Sequence, residues 1–302
     1  MQAQWFGAVL VILGAIGWGS LGIASTQLSQ LGLSNLSITG MRIVGSFVVL
    51  LLLIPLFYNS IRMLQRKHLP ALVMQSLVGM LGMTLCYFSA VHSLGPAVAV
   101  ALLYTAPIWS VVLSFVFLKE QLSLKSILLT SIAVVGVACM MAGNAELKIV
   151  GVLFGLASGL CYAAYGVMGK AIVDHYQPKF LLFSSMTVSA LALLPFLDAA
   201  ELSAVLQHVT AGTAWALFLL IVVGTLLPFA LYTQGLKYLK ASQASIYTIF
   251  EPLTAVLLAA CIVGIQLSFV QVFGIILIIS VSLFNVLLTK DRVLDDQKIL
   301  IP

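Results

Sequence analysis

The chain has 302 residues, 62% of them hydrophobic and 8% charged, with a mean hydropathy of +1.17. A soluble domain carries about 25% charge and roughly 45–50% apolar residues, and no compact sphere hides this much apolar side chain behind so few charges. Fourteen Lys and Arg against nine Asp and Glu give a formal charge of +5, but the bases stand singly or in small groups between long apolar runs, a pattern of membrane topology and not of nucleic-acid binding.

A helix crossing a hydrocarbon core of about 30 Å needs about 20 mostly apolar residues. Cutting at charges, Gly/Pro clusters and polar runs predicts ten such helices: residues 6–28, 36–57, 70–92, 96–118, 124–143, 149–170, 180–198, 212–234, 241–264 and 267–288. The loops between them are too short for a soluble domain. The runs are continuous rather than alternating, which favours helices over a β-barrel in a solvent that demands internally satisfied backbones. The first base is Arg42, so the opening run lacks a positive leader segment and is expected to persist as a span. Cys86, Cys139, Cys161 and Cys261 all lie in apolar runs with no C-x-x-C pair, suggesting neither a disulfide framework nor a zinc site.

The positive-inside rule tests the ten-span topology. With the N-terminus in the cytoplasm, Arg62, Arg66, Lys67, Lys119, Lys125, Lys170, Lys179, Lys237, Lys240, Lys290, Arg292 and Lys298 fall inside. Only Lys148 falls outside, and Arg42 lies within a span. Adding or losing one helix would scramble this alternation. Both ends are therefore expected in the cytoplasm, with a short polar tail over 291–302.

An internal repeat emerges at a shift of 144–145 residues. Gly14–Gly22 resembles Ser158–Gly166, with Trp18 opposite Tyr162. Further on, Tyr87 meets Tyr232, Leu94 meets Leu239, Pro107 meets Pro252, and Gln121-Leu122-Ser123 meets Gln266-Leu267-Ser268. Each copy holds five predicted spans, an odd number, so the second (144–290) is expected upside down relative to the first (1–143). Inverted repeats of this kind build secondary transporters whose substrate site lies near the bilayer midplane. The expected fold is thus an all-α integral membrane protein of ten transmembrane helices in two inverted five-helix repeats.

Trp18-Gly19-Ser20, Arg42, Pro107 and Lys119-Glu120-Gln121-Leu122-Ser123, repeated as Glu251-Pro252 and Gly264-x-Gln266-Leu267-Ser268 with Gly274, resemble EamA-type members of the drug/metabolite transporter superfamily over about residues 5–288. Ile265 replaces the glutamate that the family commonly places opposite Glu120, and Tyr162-Ala163-Ala164 replaces a Trp-initiated motif. The resemblance implies a central cavity lined chiefly by helices one, three, four, six, eight and nine. It also implies efflux of small metabolites such as amino acids.

Glu251 is the acidic residue deepest in a span, ten residues into predicted helix nine. A charge at the bilayer centre costs about 2.5–3.5 kcal/mol on insertion scales, so such a group faces a cavity or a partner. It is a candidate for substrate binding and for proton coupling. Arg42 admits two readings: snorkelling to the outer interface, which its helix outside the usual lining favours, or bidentate recognition of a carboxylate. Trp18, Tyr87, Tyr104, Tyr162, Tyr165, Tyr232 and Tyr247 sit within spans, several at repeat-related positions. Tyr162 and Tyr165, and Tyr247 and Glu251, have the three- and four-residue spacing of one helix face. Aromatic rings with a polar handle at mid-span suit a pocket for a small amphipathic solute. Pro107 and Pro252 are candidate kinks, and the glycine pairs read as close helix contacts.

No G-x-x-x-x-G-K-[ST] or H-E-x-x-H occurs, so transport would run on a gradient or exchange, and no metal or other cofactor is expected. A membrane-embedded enzyme is disfavoured because no histidine lies at the depth of Ser158. A channel would select by rings of charge or carbonyls, usually from several subunits. The expected partners are a small-molecule substrate, the lipid bilayer and protons, with the chain working as a monomer in the cell (inner or plasma) membrane. Phosphorylated solutes need several buried bases and find only Arg42.

Overall fold

The computed structural model describes residues 2–62, 64–94, 96–120, 124–140, 148–207, 209–263, 268–277, 279–281 and 284, and all regular structure among them is helical. The first half contains α1 (Gln2–Gly19), α2 (Leu21–Gln30), α3 (Asn35–Leu52), α4 (Tyr58–Arg62), α5 (Leu69–Met74), α6 (Met83–Leu94), α7 (Pro96–Leu103), α8 (Ala106–Leu118) and α9 (Leu124–Met140). The second contains α10 (Ile149–Val173), α11 (Pro178–Leu193), α12 (Ala199–Gln207), α13 (Ala211–Phe218), α14 (Leu227–Leu236), α15 (Ala241–Tyr247) and α16 (Phe250–Val263). Seven stretches are long and apolar enough to cross a membrane: Ala3–Gln30, Asn35–Leu52, Arg66–Leu94, Val98–Leu118, Ile149–Val173, Pro178–Phe196 and Ala211–Leu236. Ile127–Cys139 and Phe269–Val281 are shorter apolar helices. The predicted tail over 291–302 lies outside the described residues.

The interruptions in these helices recur at the repeat offset. Gln75–Gly82 is π-helical, and so is Leu219–Leu226, 144 residues on. In the second copy the Thr225 hydroxyl donates to the Leu220 carbonyl five residues back, at 2.7 Å, inside the widened turn. Such turns re-aim the helix that follows and concentrate at functional sites; here they precede α6 and α14. A second pair of breaks separates α7 from α8 at Tyr104–Thr105 and α15 from α16 at Thr248–Ile249. Pro107 and Pro252 cause them, each lacking an N–H and crowding the carbonyl four residues earlier. The carbonyl of Thr248 instead accepts the Glu251 N–H at 2.9 Å. The span expected over 241–264 is therefore two helices with an irregular joint.

Packing follows the same pseudo-symmetry. The first helix of each half lies most closely on the third span of the other: α1 against α14, and α10 against α6. Glycines permit the approach. A Cβ on Gly14 would stand 2.9 Å from the Pro228 carbonyl oxygen, and one on Gly151 2.6 Å from Leu94 Cγ. Each of these helices also sets a glycine against the joint in the opposite half. Gly159 abuts the Leu102 and Leu103 carbonyls, and Gly19 the Glu251 carbonyl. The outer surface is apolar, with Leu52, Phe117, Ile149, Phe196 and Phe269 exposed, as expected where lipid replaces water. Buried hydroxyls of Ser46, Thr84 and Thr233 are satisfied by carbonyls four residues back on their own helices.

Candidate solute-binding site

A cavity of about 430 Å³ lies between the two halves, within the range of small-molecule sites. Its wall is built from α1 and α2 (Trp18, Gly22, Ser25, Thr26), α3 (Asn35, Arg42), α6 (Met83, Thr84, Tyr87, Phe88, Val91), and the α7 joint (Val100, Leu103, Tyr104). The second half adds Tyr162 of α10, Phe229 of α14, and Glu251, Pro252 and Ala255 of α16. Thr26 and Asn35 are exposed and form the mouth.

The opposite end is closed by aromatic rings. Trp18 is the hub, edge-on to Phe229 at 4.9 Å and to Tyr162 at 6.2 Å between centroids, and tilted against Tyr232 at 5.5 Å. Tyr165 continues the layer against Phe229 and Tyr232 at 5.4 and 6.1 Å. Edge-to-face pairs at these separations contribute about 0.5–1.5 kcal/mol each beyond area burial. Below the layer, Gln75 donates to the Tyr165 carbonyl at 3.4 Å, and Lys170 Nζ donates to the Leu236 carbonyl at 2.9 Å.

Glu251 occupies the first turn after the α15–α16 joint. Its Oε2 lies 3.5 Å from the Tyr162 hydroxyl, a long hydrogen bond between the halves. Tyr104 lines the chamber with the same carboxylate, and its hydroxyl meets the geometry of a hydrogen bond with no partner among the described residues. Trp18 Nε1 and Arg42 Nε are likewise buried without partners among the described residues. Buried donors rarely stay unpaired, and these three border one chamber. Arg42 and Glu251, of opposite charge, both line it.

Sequence comparisons bear on what this chamber belongs to. The chain matches the EamA-like transporter family twice, over residues 5–142 and again over 149–287. It belongs to that family. Among its relatives is an uncharacterized transporter of Archaeoglobus fulgidus, 33% identical over 62% of this chain and 66% of the relative. Another is the uncharacterized transporter YwfM of Bacillus subtilis, 29% identical over 60% of this chain and 62% of the relative. A third is the uncharacterized inner membrane transporter YicL of Salmonella typhimurium, 26% identical over 71% of this chain and 72% of the relative. The chain thus spans just under two thirds of the length of the first two. A crystal structure at 16% identity superposes with a TM-score of 0.75 over 95% of this chain and 98% of that one, which shows a shared fold. This EamA-type chain is a helical membrane protein of a transporter family.

Of the eight residues expected to bind solute, Trp18, Tyr87, Tyr104, Tyr162 and Glu251 line the cavity of this EamA-type protein. Tyr165 and Tyr232 lie behind its floor, and Tyr247 is buried outside the lining. The four-residue spacing of Tyr247 and Glu251 does not place them on one face because the helix is broken between them. Pro252 lines the cavity, whereas Pro107 is buried just past its joint. Arg42, for which two readings stood open, lines the chamber, on a span left out of the expected lining. Opposite charge within the same chamber offsets part of the cost of that position. Thr84, Phe88 and Val91 were missed, although they flank Tyr87 at helical spacing, and so was Phe229, three residues before Tyr232. The rings of His68 and His175 stack at 4.8 Å, and His68 Nδ1 lies 3.0 Å from the Tyr176 hydroxyl.

Proposed function

We propose that this protein is a secondary transporter moving small neutral, zwitterionic or hydrophobic metabolites by alternating access, with amino acids the favoured class and export the favoured direction. The observation that carries the reading is a chamber between two related halves, open at one end and shut by packed rings at the other. A carrier needs such a closed end; a channel needs a continuous path, which the Trp18 layer interrupts. The two halves, 1–143 and 144–290, are taken as inverted five-helix repeats, giving ten spans with both termini cytoplasmic. On that topology the mouth at Thr26 and Asn35 faces outward.

Arg42 and Glu251 favour a solute carrying both a carboxylate and an ammonium, with the rings of Trp18, Tyr87 and Tyr162 against its apolar part. Glu251 is the coupling candidate, because an acid in the translocation chamber can carry a proton with or against the solute. No nucleotide motif occurs, so gradient or exchange drives the cycle, in the cell membrane and as a monomer. The test is a thermal-shift screen of purified protein against amino acids, nucleosides and amphipathic amines, followed by counterflow in proteoliposomes. Saturable counterflow with a zwitterionic hit, lost or freed from pH dependence in Glu251→Gln, supports the reading. Ohmic currents, or a Glu251→Gln variant with unchanged rate and pH profile, would refute it.

A further inference from the structure

The closed end of the chamber carries a lock whose counterpart at the open end is missing from the sequence. Glu120 follows α8 by two residues, after Lys119 turns the chain through a left-handed conformation at φ 53°. That turn is the one positive-φ position among described non-glycine residues, and such conformations persist where surrounding contacts over-determine them. The Glu120 carboxylate crosses to the other half. Its Oε1 accepts the Ala241 N–H at 3.2 Å, and its Oε2 accepts the Ser242 hydroxyl at 2.7 Å. Ser110 donates to the Ala241 carbonyl at 3.2 Å, so the end of span four grips the start of span nine from both sides.

A shift of 145 superposes the two spans closely. It carries the start of α7 at Pro96 onto the start of α15 at Ala241, and the end of α8 at Leu118 onto the end of α16 at Val263. The counterpart of Glu120 with Ala241 and Ser242 is therefore Ile265 with Pro96 and Ala97. Isoleucine offers no acceptor, proline no N–H and alanine no hydroxyl. In the sequence, the carboxylate, the N–H and the hydroxyl of the Glu120 lock thus have no equivalents at the mirror positions, of which Ile265 lies outside the described residues. In an inverted-repeat carrier, exchanging the conformations of the halves closes the opposite end. Here the two closures are chemically unequal.

We propose that Glu120 is a one-sided gating residue: it holds the Tyr165–Tyr232 end shut, and the lack of a counterpart biases the empty carrier toward the state open at Thr26 and Asn35. The inference rests on the alternating-access reading above. It predicts which state is populated before solute arrives, which that reading leaves open.

Thiol accessibility tests it. Cys86, Cys139, Cys161 and Cys261 are replaced by serine, and single reporters are introduced as Ser25→Cys at the mouth and Ser245→Cys at the closed end. A membrane-impermeant maleimide is applied to right-side-out and inverted vesicles. With Glu120 intact, position 25 labels fast from the mouth side and position 245 is protected. Glu120→Ala should slow labelling at 25 and expose 245, moving the ratio of rates by about tenfold, the scale of losing hydrogen bonds to a charged acceptor. Glu120→Gln keeps an acceptor for Ala241 and should shift the ratio the same way by less. Adding Ile265→Glu, Pro96→Ala and Ala97→Ser to Glu120→Ala should move the population further toward the state closed at the mouth. Unchanged ratios in monodisperse Glu120→Ala and Glu120→Gln that still perform counterflow would overturn the lock and leave the carrier standing. Labelling confined to one end in every variant, with no counterflow of any solute, would overturn both.

Discussion

Replacing Gly19 by alanine probes how tightly the floor of the chamber is tied to Glu251. A Cβ at Gly19 would stand 2.6 Å from the Glu251 carbonyl oxygen and 2.6 Å from Thr254 Cβ, where ordinary contact begins at 3.4 Å. The obstacle on one side is main chain, so no rotamer change relieves it, and α1 and α16 must part by about 0.8 Å at that point. Overpacking costs about 1–3 kcal/mol, against a helix-propensity gain of roughly 0.5–1 kcal/mol for glycine to alanine. The net loss is about 0–2.5 kcal/mol. Because the displaced turn carries Glu251 and Pro252, solute affinity should fall by about tenfold. Gly22→Ala is the control: Gly22 lines the same chamber, but nothing lies within 4 Å of its added methyl. Thermal unfolding in detergent and ligand titration read both variants. A Gly19→Ala protein with unaltered Tm and affinity, or a Gly22→Ala protein equally damaged, would refute the packing argument.

Tyr104→Ala and Tyr162→Ala should weaken solute binding about tenfold or more while leaving expression and monodispersity close to the parent, as titration and size exclusion would show; equal loss of both would mark the tyrosines as packing residues. Arg42→Ala should cost affinity for carboxylate-bearing solutes by about tenfold and spare amines that lack one, measured by competition in counterflow. At the loop outside the spans, the Ser34 N–H and hydroxyl both donate to Glu201 Oε2 at 2.9 Å. The Ser34 N–H, with the Ser37 and Ser34 side chains, holds the Glu201 carboxyl below its ordinary value of 4.5. A lowered value makes the tie fully present above about pH 4.5 and lost as pH falls through the lowered value. Amide exchange at Ser34, corrected for intrinsic rates, should lose protection over that window, and Glu201→Gln should abolish the pH dependence; protection that stays flat in the parent protein would contradict it.

Much of the site was legible because lipid makes polar side chains conspicuous. Glu251, Trp18, Tyr87, Tyr104 and Tyr162 stand out in apolar runs, and all five meet in one chamber. The residues that escaped notice are ordinary in kind: Thr84, Phe88, Ser25, Asn35. They matter by facing inward, and weak amphipathicity in a membrane helix hides which way a residue faces. Spacing arguments failed where the helix itself failed. Pro252 breaks the segment joining Tyr247 to Glu251, so a rule for regular helices placed the tyrosine wrongly. The sequence leaves both readings of Arg42 open and its helix favours snorkelling; only its neighbours place it in the chamber lining.

Composition and periodicity by themselves determined that this chain lives in lipid, is helical, and repeats itself at a 144–145-residue offset. The reasons are local: the hydrophobic effect acts on each run, and Pro107 and Pro252 each break their own helix. Tertiary structure alone decided which end of the chamber is open. Tyr87 and Tyr232 occupy the same repeat position, yet one lines the cavity and the other lies behind its floor. Contacts such as Glu120 with Ala241 join residues more than a hundred positions apart across the two halves. Such long-range contacts cannot be read from local pattern, because repeat-related residues of the same kind meet different neighbours in the two halves.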